Sequence, residues 1–185
     1  FFGGPFGVDY ETRPPEWLCR FLPLSARGWT PTEKEIDPKR TWFLGFNWAV
    51  RARDLRRAGG FDIDIGPGSA SNSTGDEVAL QKSLHELGLR SRLVPDAMVW
   101  HHVPACRCTP EWALDRAYRD GLARGHYVQR KGGIRRMAGD VTFAIKATRS
   151  RLKLATGWDK DSPEREFRSA HDKQKAAGYH AARAA

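Results

Sequence analysis

A chain of 185 residues, 40% of them hydrophobic, is long enough to bury a core in one domain plus an appendage. Its net charge of +9 calls for an anionic partner: nucleic acid, acidic lipid headgroups or nucleotide phosphates. No stretch reaches the ~18 apolar residues of a membrane span, and the opening residues do not read as a signal peptide. Three cysteines, an odd number, argue against a disulfide framework and for a reducing compartment, by default the cytoplasm.

The chain opens on Phe1-Phe2-Gly3-Gly4, which reads as the end of a strand, so an upstream segment is expected. Pro14-Pro15-Glu16-Trp17-Leu18 predicts a turn into a short helix, and residues 31–38 a loop. The apolar run 42–46 predicts a buried strand. Residues 53–58 read as a brief helix closed by Gly59-Gly60, glycine being suited to a left-handed cap. Residues 62–75, rich in Gly, Ser and Asn, read as a long loop of the kind that gates a substrate. A helix is expected over 76–87, with Leu80, Leu84 and Leu87 as its buried stripe and Gly88 as its stop.

Strands follow at 92–94 and 98–103. Thr109-Pro110-Glu111 is a helix start, with Thr as N-cap, Pro at the first helical position and an acid in the first turn; that helix should reach about Tyr127. Strands alternating with helices predict an α/β layer structure. Beyond 130 the character changes. Val141, Ile145, Thr148 and Leu152 fall on one helical stripe flanked by Lys146, Arg149 and Lys153, with Phe143 off the stripe. Residues 1–130 therefore read as the domain and 131–185 as a basic helical extension, its last twenty residues helical or partly disordered. A basic amphipathic helix at 131–153 can lie on an anionic membrane, or pack its stripe on the domain.

Three clusters are candidates for chemistry. Asp76 and Glu77 sit in a first helical turn, where helix polarity favours negative charge. They flank the leucine stripe, and a half-buried carboxylate there can take a proton from a hydroxyl. The same residues, as Thr74-Gly75-Asp76-Glu77, also fit a capping box, which needs no chemistry. His101 and His102 end an apolar strand with one on each face; either could bind a metal or a diphosphate, or be a rim histidine. Cys106-Arg107-Cys108 follows closely, so a zinc site with a histidine is conceivable, although the spacing matches no standard finger. Asp62-Ile63-Asp64 looks like a metal-holding Asp-x-Asp, but its place after Gly59-Gly60-Phe61 favours turn chemistry.

Taken in order, these segments resemble the C-terminal, acceptor-side half of glycosyltransferase family 2 enzymes of the GT-A fold. The resemblance rests on Phe2-Gly3-Gly4-Pro5, Pro14-Pro15-Glu16-Trp17-Leu18 and Gly45-Phe46-Asn47-Trp48-Ala49-Val50-Arg51. It continues through Gly59-Gly60-Phe61-Asp62, Gly75-Asp76-Glu77-Val78-Ala79-Leu80 and Pro95-Asp96-Ala97-Met98-Val99-Trp100-His101, and covers about residues 1–127. It implies a partial GT-A-like mixed sheet flanked by helices, and inverting transfer of a sugar from a nucleotide-diphosphate donor to a glycan or lipid-linked acceptor hydroxyl. Polysaccharide or cell-envelope glycan synthesis is the implied setting, in the cytoplasm or on the inner face of the membrane.

Family members carry Glu-Asp where this chain has Asp76-Glu77. The second acid is their base, which the resemblance places at Glu77. It aligns His101 with a position near the metal or donor diphosphate, and Asn47, Trp48 and Asp62 with cleft-lining segments. A divalent metal, Mg or Mn, is implied for the complete enzyme. The family's donor-binding strands and Asp-x-Asp precede a segment like Phe2-Gly3-Gly4, so these 185 residues alone are expected to have little or no activity. Two other readings compete: a basic nucleic-acid-binding module, disfavoured because no reader motif is present, and a non-catalytic interaction domain derived from the same fold.

Overall fold

A computed structural model describes residues 1–70, 72–129, 137, 140–145, 148 and 163–184. The architecture is mixed α/β. Strand β1 (Phe2–Gly3) lies between β3 (Trp48–Ala49), antiparallel to it, and β4 (Arg92–Leu93), parallel to it. Strand β2 (Phe6–Tyr10) pairs in parallel with β5 (Val99–Val103). The two sheets are one parallel ribbon with an interruption. Phe2 faces Arg92, yet Phe6 faces Val99, so three extra residues are taken up on the second strand. They form the turn closed by the Ala97 amide on the Val94 carbonyl, at 3.1 Å. Gly4 lies against that turn, where an added Cβ would stand 2.1 Å from the Ala97 carbonyl oxygen.

The α-helices whose full extent is described are α1 (Glu16–Cys19), α2 (Ala52–Arg57), α3 (Asp76–Glu86), α4 (Pro110–Gln129) and α5 (Pro163–Ala184). The glycine stops behave as the sequence suggests: Gly59, Gly60 and Gly88 have φ of +86°, +76° and +83°, a region that disfavours side chains. Thr109 starts α4, its hydroxyl accepting from the Trp112 amide at 3.2 Å. The loop at 62–75 holds no helix or strand among its described residues.

Four expectations fail for identifiable reasons. Residues 42–46 are not a strand, although Phe43 is fully buried. The backbone of Phe43 is instead paired by a side chain. Its amide donates to Gln81 Oε1 at 2.7 Å, and its carbonyl accepts from Gln81 Nε2 at 2.8 Å. Gln81, wholly buried, replaces a neighbouring strand. Leu87 lies just past the end of α3 and is 42% exposed, so the buried stripe is Leu80, Gln81 and Leu84. The Thr74 capping box does not form: Gly75, at φ +90°, is the N-cap of α3, and no side chain caps it. The Val141/Ile145 stripe is exposed at 57% and 48%, while off-stripe Phe143 stacks on Tyr179 with centroids 3.8 Å apart. Leu152, Lys146, Arg149, Lys153 and most of the basic segment 131–153 lie outside the described residues.

The C-terminal helix is part of the packed body. Leu18, Leu22, Ala26, Val103, Cys108 and Ala113 form a core cluster, and Phe167 of α5 packs on it with Trp17 and Tyr10. Gly121 meets Lys175 and Gly125 meets Ala182, so α4 and α5 run in the same direction at close range. That approach requires glycine, since a Cβ on Gly178 would stand 2.0 Å from the Tyr118 carbonyl oxygen. Among the described residues no helix is long and apolar enough to cross a membrane.

Two substitutions test these contacts. Gln81→Leu keeps the bulk but strands the Phe43 amide and carbonyl, so it should lower unfolding free energy by about 1–3 kcal/mol in urea titrations. Gly178→Ala forces α4 and α5 apart and should expose Tyr179, otherwise 2% accessible, as a shift in its fluorescence and a lower Tm.

Candidate functional site

The segment 45–48 is the spine of the candidate site. Because Gln81 clamps Phe43, the next residues run along α3 toward its N-terminus, and Gly45 arrives beside Glu77, one helical turn before Gln81. A Cβ on Gly45 would lie 3.6 Å from Glu77 Cγ. Phe46 stacks flat on His101, centroids 4.3 Å apart and planes at 6°. Asn47 donates to the carbonyls of Pro5 and Ala97, both at 2.8 Å, which ties the ribbon's interruption to this segment. Trp48 pairs with Gly3 in the sheet and meets the Phe61 ring at 6.4 Å, next to Asp62. Four consecutive residues thus reach Glu77, His101, the ribbon turn and the neighbourhood of Asp62.

Glu77 is half-buried, and its carboxyl is pushed up to about 7. Burial is the main cause, because removing a carboxylate from water disfavours its charged form. A hydrogen bond with Asp76 and the charge of Asp76 raise it further. Its own backbone amide and the Arg116 guanidinium pull the other way. Arg116 is shared, since its Nε donates to Asp120 Oδ1 at 3.0 Å. Thr74, the expected cap, gives its hydroxyl to the same Asp120 oxygen at 3.0 Å. Asp76 is held against the loop: Gly66, at φ +111°, presents bare backbone to it, and a Cβ there would stand 2.9 Å from Asp76 Cγ.

The other expected residues have local partners. The ring Nδ1 of His101 donates to the Ser25 carbonyl at 2.8 Å, which leaves the Nε2 lone pair without a hydrogen-bond partner among the described residues. Asp62 Oδ1 accepts from the Asp64 amide at 3.0 Å, an Asx turn, as the loop position suggests. His102 pairs with Asp9 at 3.7 Å on the outer face of the β2–β5 ribbon. Among the described residues no three His, Cys, Asp or Glu side chains gather to hold a metal, and Cys19, Cys106 and Cys108 are free thiols. Sequence reasoning missed Arg116 and Asp120. Their spacing of four on α4 announces a helical ion pair, but not that it faces α3.

The chemistry available is proton transfer. A carboxyl near 7 is about half ionised at neutral pH, which suits a group that takes and returns a proton. The folded value lies above the ordinary 4.5, so folding favours the protonated form. Stability from Glu77 is full below about 4.5 and is lost as pH rises through about 7. Urea titrations should therefore show the native chain weakening relative to Glu77→Gln between those values. Carboxyl-carbon NMR should place Glu77 near 7, falling in Asp76→Asn and rising in Arg116→Gln.

No family model matches the chain, and comparison with curated proteins and with solved structures likewise gives no match.

Proposed function

We propose that the chain is the acceptor-side part of an inverting, family 2-like glycosyltransferase with a GT-A arrangement, and that Glu77 is its general base. The observation that carries this reading is the half-buried Glu77 at the start of α3, raised to about 7 and packed against Gly45. The ordered motifs between Phe2 and His101 supply the reaction class. The acceptor hydroxyl loses its proton to Glu77 as its oxygen attacks the anomeric carbon. The bond from that carbon to the diphosphate breaks on the opposite face, inverting the centre.

Asp76 and Arg116 are positioning residues in this scheme. They set the proton affinity of Glu77 from opposite directions, and Asp120 with Thr74 holds Arg116 in place. His101, with Nε2 available, and the 45–48 segment are assigned to the donor side of the cleft, with Asn47 orienting backbone and Trp48 and Asp62 at the rim. A diphosphate leaving group needs a cation or fixed positive charge. Among the described residues no three His, Cys, Asp or Glu side chains gather as a site for Mg or Mn. The partners are a nucleotide-diphosphate sugar and a glycan or lipid-linked acceptor. The nucleic-acid reading retains only the net charge of +9 in its favour.

The test is transfer from a nucleotide sugar by the protein expressed from its complete reading frame. Glu77→Gln should lower kcat by at least about 100-fold, the scale of a lost general base, while leaving donor affinity unchanged. Full activity in that variant would refute the assignment.

A further inference from the structure

The β2–β5 ribbon has an inner and an outer face. Phe6 and Val103 are buried on the inner one, where His101 stacks on Phe46. On the outer face the register sets Gly7 beside Trp100 and Asp9 beside His102. Trp100, 70% accessible, is the one large apolar side chain of these two strands left exposed.

The indole is seated flat. An added Cβ on Gly7 would stand 2.5, 2.6 and 3.1 Å from Cζ3, Cε3 and Cη2 of Trp100. Distances this even to three successive ring atoms put Gly7 under the face of the ring rather than off its edge. One face of the indole thus rests on bare backbone, and the other is open. Two residues further along each strand, roughly 6–7 Å away, His102 Nδ1 and the Asp9 carboxylate face each other at 3.7 Å, both side chains exposed.

This arrangement narrows the ligand. The electron-rich face of an indole attracts partially positive C–H bonds. A pyranose presents several of them on one side of its ring, with hydroxyls projecting from its rim. Each hydroxyl both donates and accepts, which suits a carboxylate beside an imidazole. A protein partner needs a broad interface with an apolar centre, whereas here a single tryptophan adjoins a charged pair. Single-stranded nucleic acid also stacks on aromatic rings, but it needs cations along its phosphates, and here the ribbon offers the carboxylate of Asp9.

We propose that the outer face of the ribbon is a glycan-binding platform, on which one sugar ring lies over Trp100 and its hydroxyls reach Asp9 and His102. Its role, holding a distant part of the acceptor on the side of the ribbon opposite His101, rests on the glycosyltransferase reading. The binding itself rests on the ribbon alone. Sugar units held there would supply binding energy remote from the reacting hydroxyl.

The experiment is saturation-transfer NMR of the 185-residue chain with maltotetraose, cellotetraose and chitotetraose as probes. At least one should receive saturation, strongest at the C–H protons of one ring face. Trp100→Ala should weaken binding about ten-fold or more, the scale of a lost aromatic anchor, and Asp9→Asn about five-fold, that of a weakened hydrogen bond to a charged group. Gly7→Ala keeps the tryptophan but lifts it from its seat, so it too should weaken binding, which loss of apolar area alone would not predict. Circular dichroism should show that each variant folds. Glu77→Gln should bind the sugar like the native chain. No saturation of any of the three sugars, saturation unchanged in Trp100→Ala, or displacement of the sugar by a thymidine oligonucleotide would each overturn the proposal. Glycan binding lost in Trp100→Ala, in a complete protein that transfers no sugar, would sink the catalytic reading and leave this one standing.

Discussion

The buried amide of Gln81 is the contact on which the candidate site depends. A backbone segment that enters a core without a neighbouring strand leaves an N–H and a C=O to satisfy, each costly if stranded. Gln81 satisfies both at once, because its side chain carries the same donor and acceptor as a peptide group. Fixing Phe43 opposite Gln81 also fixes the course of residues 45–47. Gly45 comes to Glu77, one helical turn away on α3, Phe46 to His101 and Asn47 to the ribbon turn. A one-residue shift would break both hydrogen bonds and bring Phe46, rather than Gly45, beside Glu77.

Glu77 shows how local environment overrides global charge. The chain carries nine excess positive charges, which in a uniform field would keep every carboxylate ionised. At Glu77 the outcome is reversed by burial and by Asp76 beside it. Arg116 is close enough to oppose them, but its guanidinium also serves Asp120, and Asp120 is braced by Thr74. A competing carboxylate on the same cation weakens its pull on Glu77. Two acids on one side and a shared base on the other leave a proton that is neither firmly held nor freely lost.

Much of the fold was legible because it follows local rules. Gly59-Gly60 and Gly88 mark backbone that side chains avoid, and Thr109-Pro110 marks a helix start; each acts within a few residues. Three of the four misreadings share a cause, a distant partner. The 42–46 run has strand composition, but its partner is a glutamine 38 residues later. Thr74 has the local pattern of a cap, but Asp120, 46 residues on, claims its hydroxyl. Phe143 missed the periodic stripe because the face that packs is the one Tyr179 meets. The candidate site was legible as a set of residues, since Asp76, Glu77 and His101 stand out by type and place. Their assembly was not, because no local signal shows that Gly45 and Phe46 reach two different elements.

The same logic explains why α5 is more than an appendage. A helix of charged and alanine residues has little apolar surface with which to pack, so its attachment depends on close backbone approach rather than on large side chains. Glycines at 121, 125 and 178 permit that approach, and Phe167 and Tyr179 supply the two apolar anchors. Once α5 lies this near α4, its last turns set Ala181 and Ala182 beside a cavity that α4 and the 62–75 loop also line. A larger side chain at 182, which is buried against Gly125, would force the two helices apart. The composition that makes α5 look weakly structured in sequence is therefore what allows it to be packed.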